Sequence, residues 1–391
     1  MKYNFDEIID RRNTNAVKIE ACPSLFGTND VLPLWVADMD FRTPDFILEA
    51  IRHRCEHPIL GYTIMPKEYF QSIVYWLNQI HQFEVKEEWL GFLPGVVTGL
   101  ALAVKQFSSE GDEVIVQPPV YYPFMEVVKS NHRKLVYNPL QERNGKFEMD
   151  FEDLESKISS RTKLLLLCNP QNPGGRIWDR TTLHTLAEIC ERHHILIVSD
   201  EIHGDMALAG NQHVPFASVS NKAAQISITL MSPSKIFNIP SLQAAYYIIP
   251  NEEIRNLFKD FLNQLRITDG NIFAYIATIA AYTQGTEWRR QMLQYVNKNV
   301  EYVIHFLKEE LPLIEPMKPE ASFLIWLNCK KMGMTDEESF QFFIKKAGLG
   351  LNKGKIFGPG GEQHFRLNVA CPRNVLEQAM KQLKSAFFES F

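Results

Sequence analysis

The sequence predicts an α/β protein with two parts: a large domain on a mostly parallel, doubly wound sheet, and a smaller α+β domain at the C-terminal end. Helical periods alternate with short apolar runs from about residue 44 to residue 285, which is typical of an α/β domain. The strand-like runs are apolar throughout, as strands buried on both faces of a parallel sheet are. After about residue 285 this alternation stops, which indicates a second domain.

The elements of the large domain follow from these patterns. Segments with helical spacing of apolar residues predict three early helices, and continuous apolar runs predict four strands. The helices are expected at 46–56, 69–83 and 97–107, and the strands at 112–119, 163–170, 194–201 and 225–234. Such strands require helices on both faces of their sheet.

The C-terminal part has a different pattern. A long amphipathic helix is predicted at 288–311, followed by strands at 322–329 and 364–370 and by a closing helix. The first forty-odd residues are expected to pack beside this part. The predicted units are an N-terminal segment (1–44), a large domain (45–285) and a small C-terminal domain (286–391).

Composition and charge argue against several classes of protein. The chain has 391 residues, a formal net charge of -5 and no basic run, so a nucleic-acid partner is not expected. No two of the six cysteines form a C-x-x-C pair, and the N-terminal stretch lacks the apolar core of a signal peptide. The longest apolar run, residues 272–282, is too short to cross a bilayer. We therefore expect a cytoplasmic protein with no membrane partner.

Polar residues follow three of the predicted strands. Asn172 lies in the loop NPQNPGG, Asp200 ends the run ILIVSD, and Lys235 follows the turn SPS. Ligands of open α/β sheets bind at the carboxyl ends of the strands, so these three side chains are expected at one ligand site. Taken singly, each residue has a simpler explanation. Asn172 would belong to a stiff turn, Asp200 would cap a helix or form a salt bridge at the end of its strand, and Lys235 would be a solvated loop lysine.

Two further segments suit a phosphate group. PGVVTG, residues 94–99, precedes a predicted helix, and the first N–H groups of a helix attract anions. Ser232 and Ser234 are small hydroxyl residues beside Lys235. A lysine desolvated at a strand end can form an imine, and a carboxylate such as Asp200 can pair with a protonated ring nitrogen. These features are those that pyridoxal 5′-phosphate (PLP) needs.

In this order and spacing, the segments resemble the fold-type I PLP enzymes, the aspartate aminotransferase superfamily. NPQNPGG is similar to that family's N-P-x-N-P-[TG]-G loop, SDEIH to its D-E-[VI]-[YH] strand, SPSKIFNIP to its lysine segment and HFRLNVACPR to its C-terminal arginine strand. The likeness covers nearly the whole chain. It implies PLP as the cofactor and Lys235 as the catalytic residue that carries it as a Schiff base.

A narrower resemblance is to one branch of that superfamily, the cystathionine β-lyases and related carbon–sulfur lyases. It rests on LPLWVADMDF at 32–41, GYT at 61–63, DEIHGDM at 200–206, SKIFNIP at 234–240 and FGPGGEQHFRLNVACPR at 357–373. His203 stands where many transaminases have tyrosine. Gln243 stands where typical aminotransferases have a phosphate-binding arginine, so serines and helix N–H groups would bind the phosphate here.

The resemblance implies which residues bind the cofactor. Asp200 would pair with the pyridine nitrogen, and Asn172 and His203 would lie near the phenolic oxygen. Tyr121 would stack on the ring face, with Tyr122 as its rival. The residues implied for the phosphate are Gly95, Val96, Ser232 and Ser234.

The resemblance also implies how a small amino-acid substrate binds. Arg366 would clamp the α-carboxylate, because a bidentate arginine suits that planar anion. Asn172 would lie beside the substrate, and Trp35 and Tyr122 would form pocket walls. Tyr62 would reach across a homodimer interface to the neighbouring site, so the active site would lie at that interface.

The implied reaction is β-elimination from cystathionine or another S-substituted cysteine, which releases thiol, pyruvate and ammonia. Two alternatives remain open. An aminotransferase would use the same cofactor and the same lysine, and would need a keto acid for turnover. A regulatory protein that merely retains the fold would work without Lys235.

Overall fold

The protein is described by a computed structural model that covers residues 2–390. Its largest sheet has seven strands: β1 (Leu90–Leu93), β2 (Glu113–Val116), β3 (Lys134–Tyr137), β4 (Thr162–Cys168), β5 (Leu196–Asp200), β6 (Ser227–Met231) and β7 (Ala245–Ile248). Their order across the sheet is β1-β7-β6-β5-β4-β2-β3. Strand β7 pairs antiparallel with β1 and β6, and the other pairs are parallel. The predicted mostly parallel sheet is confirmed.

Helices cover both faces of this sheet. They are α1 (Asp45–Glu56), α2 (Lys67–His81), α3 (Val96–Phe107), α4 (Pro123–Ser130), α5 (Arg180–Arg192), α6 (Glu252–Gln264) and α7 (Ile272–Gln284). Successive residues of a strand face opposite sides. On β2, Val114 and Val116 therefore pack with α3, α4 and α6, whereas Ile115 packs with α5. This is the doubly wound arrangement that the apolar strands predicted.

The C-terminal part contains a four-stranded antiparallel sheet. Its strands are β8 (Glu315–Met317), β9 (Leu324–Asn328), β10 (Asn352–Lys353) and β11 (His364–Asn368), in the order β8-β9-β11-β10. The long helix α8 (Thr286–Glu310) leads into it, and α9 (Arg373–Phe388) closes the chain. A parallel bridge between Leu32–Pro33 and Leu349–Gly350 joins the N-terminal segment to this part. The domain boundaries at residues 44 and 285 stay a prediction.

Three strands of the large sheet, β1, β3 and β7, were not predicted. Strands β1 and β3 form the two edges of the sheet, and β3 is partly exposed. In β1, Gly91 gives room to a ring from β7: a Cβ atom at Gly91 would lie 2.0 Å from Tyr247. A glycine inside a four-residue run weakens the apolar pattern by which a strand is recognised in sequence. Here the same glycine leaves the space that β7 needs to pair with β1.

The remaining elements are short. They are the helices Val17–Glu20, Cys22–Phe26, Phe151–Lys157, Asn221–Gln225 and Asp336–Gln341, a π-helical turn at Phe342–Lys346, and the hairpin Gln141–Arg143 with Lys146–Glu148. Within residues 2–390, no helix has both the length and the apolar composition that spanning a bilayer requires.

Candidate active site

The carboxyl ends of β4, β5 and β6 border a cavity of about 200 Å³. These strands are neighbours and run parallel, so the loops that follow them meet at one edge of the sheet. The predicted trio of Asn172, Asp200 and Lys235 lines this cavity together. The other residues of its wall are Ala37, Gly95, Val96, Val97, Thr98, Tyr121, Cys168, Ile202, His203, Ser234 and Pro240.

Lys235 is a largely buried amine held by the backbone. Its Nζ donates a hydrogen bond of 2.7 Å to the carbonyl oxygen of Ala37. Burial lowers the pKa of Lys235 to about 8, and the positive charge of Arg366 acts in the same direction, while Asp38 and Asp200 oppose it. About a tenth of the amine is therefore unprotonated at pH 7, far more than for an ordinary lysine, and this fraction can act as a nucleophile or base.

Asp200 closes β5 at the floor of the cavity. Its side chain is buried and accepts a 3.0 Å hydrogen bond from the N–H of Ile202. Burial raises the pKa of Asp200 to about 7, although that hydrogen bond and the charge of Lys235 partly compensate. A cationic N–H group placed beside this carboxyl group would stabilise its ionised form.

His203 lies three residues after Asp200, where it precedes a short 3-10 turn, Gly204–Met206. Its ring is buried, and Nδ1 has no hydrogen-bond partner within residues 2–390. Burial lowers the pKa of His203 to about 3, and the charges of Lys235 and Arg366 lower it further. The imidazole is therefore neutral, with a buried ring nitrogen whose hydrogen-bonding capacity is unused.

The N-terminus of α3 forms one end of the cavity. Gly95 precedes the helix in an extended conformation, and Val96, Val97 and Thr98 form its first turn. The first N–H groups of a helix have no partner inside the helix and favour anions. Ser234 lies in the same wall. This end of the cavity is suited to a phosphate group.

Ser232 lies behind Ser234 and outside the cavity wall. The two hydroxyl oxygens are 2.8 Å apart and hydrogen-bonded, and Ser232 Oγ also accepts from the N–H of Ser234 at 3.0 Å. The carbonyl oxygen of Ala244 is a further partner of the Ser232 hydroxyl. Ser232 thus orients Ser234, and its direct contact with the phosphate stays a prediction.

Arg366 projects from β11 of the small sheet and is fully buried. Its Nη1 donates to Oδ1 of Asn172 at 3.0 Å, and its Nη2 donates to the carbonyl oxygen of Trp35 at 2.9 Å. The guanidinium carbon lies 5.0 Å from the centre of the Phe357 ring. Burial lowers the pKa of Arg366 to about 10, which leaves it charged.

Among residues 2–390, no carboxylate forms a salt bridge with Arg366, and its Nε has no hydrogen-bond partner. A buried guanidinium that is paired only with neutral oxygens is well suited to bind a carboxylate ligand. The Asn172 amide, which the sequence placed near the ring oxygen, here contacts this arginine.

Tyr121 lines the cavity, as expected, whereas Tyr122, the alternative residue for stacking on the ring, does not. The N–H of Tyr121 donates to the carbonyl oxygen of Asn172 at 3.0 Å, which fixes the two loops together. Tyr122 packs edge-on against Tyr121 at 5.1 Å and leads into α4. Burial raises the pKa of Tyr121 to about 12, so its phenol is neutral.

The expectation that the Trp35 ring forms a wall is wrong. Its indole nitrogen donates to the carbonyl oxygen of Lys18 at 3.0 Å, and its ring packs edge-on against Phe26. Trp35 contributes its own carbonyl oxygen, which accepts from Arg366. The contributions of the Trp35 and Ala37 carbonyls were missed, since a backbone acceptor leaves no mark in residue identity.

Tyr62 is fully exposed and is not one of the residues that line this cavity in the single chain. It belongs to the loop between α1 and α2, together with the exposed side chains of Ile59, Leu60 and Ile64. Large apolar side chains grouped on one exposed loop are typical of a surface that another chain covers.

The cavity fits PLP. Lys235 can react with its aldehyde, Asp200 can accept from its ring N–H, and Ser234 with the start of α3 can bind its phosphate. The unused Nδ1 of His203 can serve a further polar atom of the ring. Arg366 remains available for a carboxylate.

Comparison with known proteins gives four informative matches: one family model, one relative and two solved structures. The family model for aminotransferase class I and II matches residues 29–383. The chain is 44% identical to cystathionine beta-lyase PatB of Bacillus subtilis (strain 168), over 98% of this chain and 99% of that protein. The structure of cystalysin from Treponema denticola, which contains a PLP cofactor, matches with a TM-score of 0.96, 31% identity and full coverage of both chains. A PLP-bound C-S lyase from Staphylococcus hominis matches with a TM-score of 0.91 and 37% identity, covering 99% of this chain and 98% of that one.

Proposed function

The chain belongs to the class I and II aminotransferase family, and we propose that the residues of its strand-edge cavity carry out a PLP-dependent β-elimination. Cystathionine β-lyases and PLP-bound carbon–sulfur lyases are its relatives. The predicted family, cofactor and carbon–sulfur lyase activity are therefore confirmed. The proposed substrates are cystathionine and related S-substituted cysteines, and the products are thiol, pyruvate and ammonia.

The observation that carries the residue assignment is the arrangement of three groups at one cavity: Lys235 and Asp200 line it, and Arg366 is hydrogen-bonded to Asn172 of its wall. Lys235 and Asp200 come from neighbouring strands of the large sheet, and Arg366, without a carboxylate partner, comes from the small sheet. An amine, a carboxylate and a free cation in one place match the aldehyde, the ring nitrogen and the substrate carboxylate respectively.

When bound, PLP supplies an aldehyde for the substrate amine and a ring that withdraws electrons from the substrate Cα. The protein groups do the rest. Arg366 binds the α-carboxylate and so fixes the substrate orientation. The Lys235 amine, with its pKa lowered to about 8, takes the Cα proton. The sulfur on Cβ then leaves as thiolate and takes up a proton to give the thiol. One water molecule hydrolyses the remaining three-carbon fragment to pyruvate and ammonia.

Asp200 and His203 maintain the charges that this chemistry needs. Asp200, ionised beside a cationic ring nitrogen, keeps that nitrogen protonated. His203 stays neutral because burial depresses its pKa to about 3, so it adds no positive charge near Lys235. Tyr121 covers the cavity from the side of the loop that carries Asn172.

We further propose a homodimer in which Tyr62 of each subunit completes the cavity of the other. The support is the exposed apolar loop around Tyr62, which has no role in the single chain. We place the enzyme in the cytoplasm, since all six cysteines are free thiols, as a reducing compartment would keep them.

The test is a product assay with cystathionine and with S-methylcysteine, without any keto acid. Formation of equal amounts of pyruvate and free thiol by wild type, and of neither by Lys235→Ala, is the expected result. Turnover that appears only after addition of a keto acid would instead assign an aminotransferase.

A further inference from the structure

The backbone segment of residues 34–41, here called the strap, supplies one carbonyl oxygen to each of the two cations of the site. Nζ of Lys235 donates to the carbonyl oxygen of Ala37 at 2.7 Å, and Nη2 of Arg366 donates to that of Trp35 at 2.9 Å. The strap has no regular secondary structure between its ends. Backbone hydrogen bonds fix it near its two ends, where the N–H of Leu34 donates to the carbonyl oxygen of Gly350 and that of Asp40 donates to the carbonyl oxygen of Ala370, both at 2.9 Å. The stretch between these two bonds is fixed by side chains.

Three asparagines hold the strap, and one of them, Asn352, donates from its Nδ2 to the carbonyl oxygen of Trp35 at 3.1 Å. From the small sheet, the Nδ2 of Asn368 donates to the carbonyl oxygens of Val36 at 2.5 Å and Asp38 at 2.7 Å. From the segment after Lys235, the Nδ2 of Asn238 donates to the carbonyl oxygen of Met39 at 2.8 Å. These bonds fix the backbone but leave the acidic side chains of the strap free to bind elsewhere.

Those acidic side chains bind two cations from the N-terminal segment. Asp40 contacts the Nζ of Lys18 at 2.7 Å and the Nη1 of Arg11 at 2.8 Å. Asp38 contacts the Nη2 of Arg11 at 2.6 Å and lies 3.7 Å from Nζ of Lys18. Two cations thus alternate with two carboxylates in a closed cluster.

Lys18 is the buried member of this cluster, with 1% of its side chain exposed. A buried ammonium group is costly unless it is fully paired, so its position is tightly coupled to that of Asp40. The carbonyl oxygen of Lys18 also accepts from the Trp35 indole at 3.0 Å. Lys18 therefore contacts the strap through both its side chain and its backbone.

We propose that Lys18, assisted by Arg11, is a positioning residue for the reaction: its ion pairs to the strap set where the strap carbonyls hold the lysine and arginine of the site. The inference rests on the proposed function for the roles of Lys235 and Arg366. Asp38 follows Ala37 directly in the chain, so a movement of its carboxylate moves the oxygen that binds the Lys235 amine. Displacements of about 1 Å in an active site reduce rates by about a hundredfold.

The test uses the holoenzyme of Lys18→Met and of the double variant Lys18→Met/Asp40→Asn. The single variant leaves the partly buried carboxylate of Asp40 paired with Arg11 alone, whereas the double variant restores the charge balance of the cluster. Lys384→Met is the matched control, since Lys384 pairs with Glu310 at 2.5 Å on the helices α8 and α9. The measurements are the thermal midpoint, the PLP dissociation constant, and kcat and KM with S-methylcysteine.

We expect the double variant to melt within a few degrees of wild type, yet to lose about ten- to a hundredfold in kcat/KM and to bind PLP about tenfold more weakly. Lys384→Met should match wild type in all measurements. A double variant that is stable and has wild-type kinetics and PLP affinity would overturn the proposal.

A second variant keeps the proposal falsifiable if the double variant fails to fold. Arg11→Gln removes a cation whose side chain is 24% exposed, and it should raise KM and weaken PLP binding in the same direction. A folded Arg11→Gln with unchanged values of both would again overturn the proposal. If wild type itself releases no thiol, the proposed function fails, but the PLP dissociation constants still decide whether Lys18 positions the strap.

Discussion

Lys235 and Ala37 are 198 residues apart in sequence, and the amine of the former donates a 2.7 Å hydrogen bond to the carbonyl oxygen of the latter. The bond joins a loop after β6 to the N-terminal strap. It holds the amine at the cavity while burial lowers the pKa of Lys235 to about 8. The N-terminal segment is therefore part of the site, although it lies outside the large sheet.

The lowered pKa of Lys235 predicts how PLP uptake depends on pH. Only the neutral amine reacts with an aldehyde, so the uptake rate of the PLP-free protein should rise with pH and level off above about pH 8. Stopped-flow absorbance measures the rate, with Nα-acetyl-lysine and its ordinary amine as the control. A rate that keeps rising to pH 10, as for the control, would contradict the assignment.

Asp200 predicts a pH-dependent difference in stability between wild type and Asp200→Asn. In the folded chain without ligand the pKa of Asp200 is raised from 3.8 to about 7, so the folded state holds its proton more tightly than the unfolded state. The stability from the neutral carboxyl is present below about pH 4 and is lost as pH rises to about 7. An asparagine cannot ionise, so Asp200→Asn does not lose this stability as the pH rises.

Urea unfolding of the PLP-free proteins at pH 5 and pH 8 measures this difference. Relative to wild type, Asp200→Asn should gain about 2–3 kcal/mol of unfolding free energy between the two pH values. For activity we expect the opposite: wild type should be more active than Asp200→Asn, because the variant cannot supply a carboxylate to the ring nitrogen. Parallel stability curves for the two proteins would show that Asp200 does not titrate as the buried geometry requires.

Arg366→Lys should impair substrate binding more than PLP binding. A lysine cannot reproduce the fork that contacts Asn172 and the Trp35 carbonyl while also binding a carboxylate. We expect a loss of about a hundredfold in kcat/KM, or about 3 kcal/mol, carried mainly by KM. Arg373→Lys, on α9, serves as the control. An unchanged KM would mean that another residue binds the substrate carboxylate.

Tyr62 allows a test of the shared active site. Tyr62→Ala and Lys235→Ala should each be inactive, yet mixing the two after dissociation should produce hybrid dimers in which one of the two sites is intact. Random pairing gives about a quarter of wild-type activity. Continued inactivity of the mixture, with dimers verified by size, would place Tyr62 in the site of its own chain or outside any site.

The strand-edge residues could be predicted from the sequence because each follows an apolar run. Asp200 and Lys235 end or follow strands that pair directly, β5 and β6, so their meeting was a consequence of parallel topology. Arg366 comes from a different sheet, and only its motif, not any pattern of apolar residues, indicated that it belongs to the site.

Other parts of the site could not be predicted, for physical reasons. The strap acts through carbonyl oxygens, which every residue has, so its sequence carries no sign of the contacts to Lys235 and Arg366. Whether a serine lines the cavity or lies behind a neighbour depends on the turn geometry, and this is where Ser232 and Ser234 differ. The neutrality of His203 arises from complete burial, which residue order does not specify.

The covalent role of Lys235 is tested most directly by borohydride reduction of the yellow holoenzyme, followed by proteolysis and mass spectrometry of the peptides. Reduction makes the link between cofactor and amine permanent. We expect a single modified peptide, with the mass of reduced PLP on Lys235 and none on that peptide from a Lys235→Ala preparation. A coloured wild-type protein whose label maps to another lysine, or to none, would contradict the assignment.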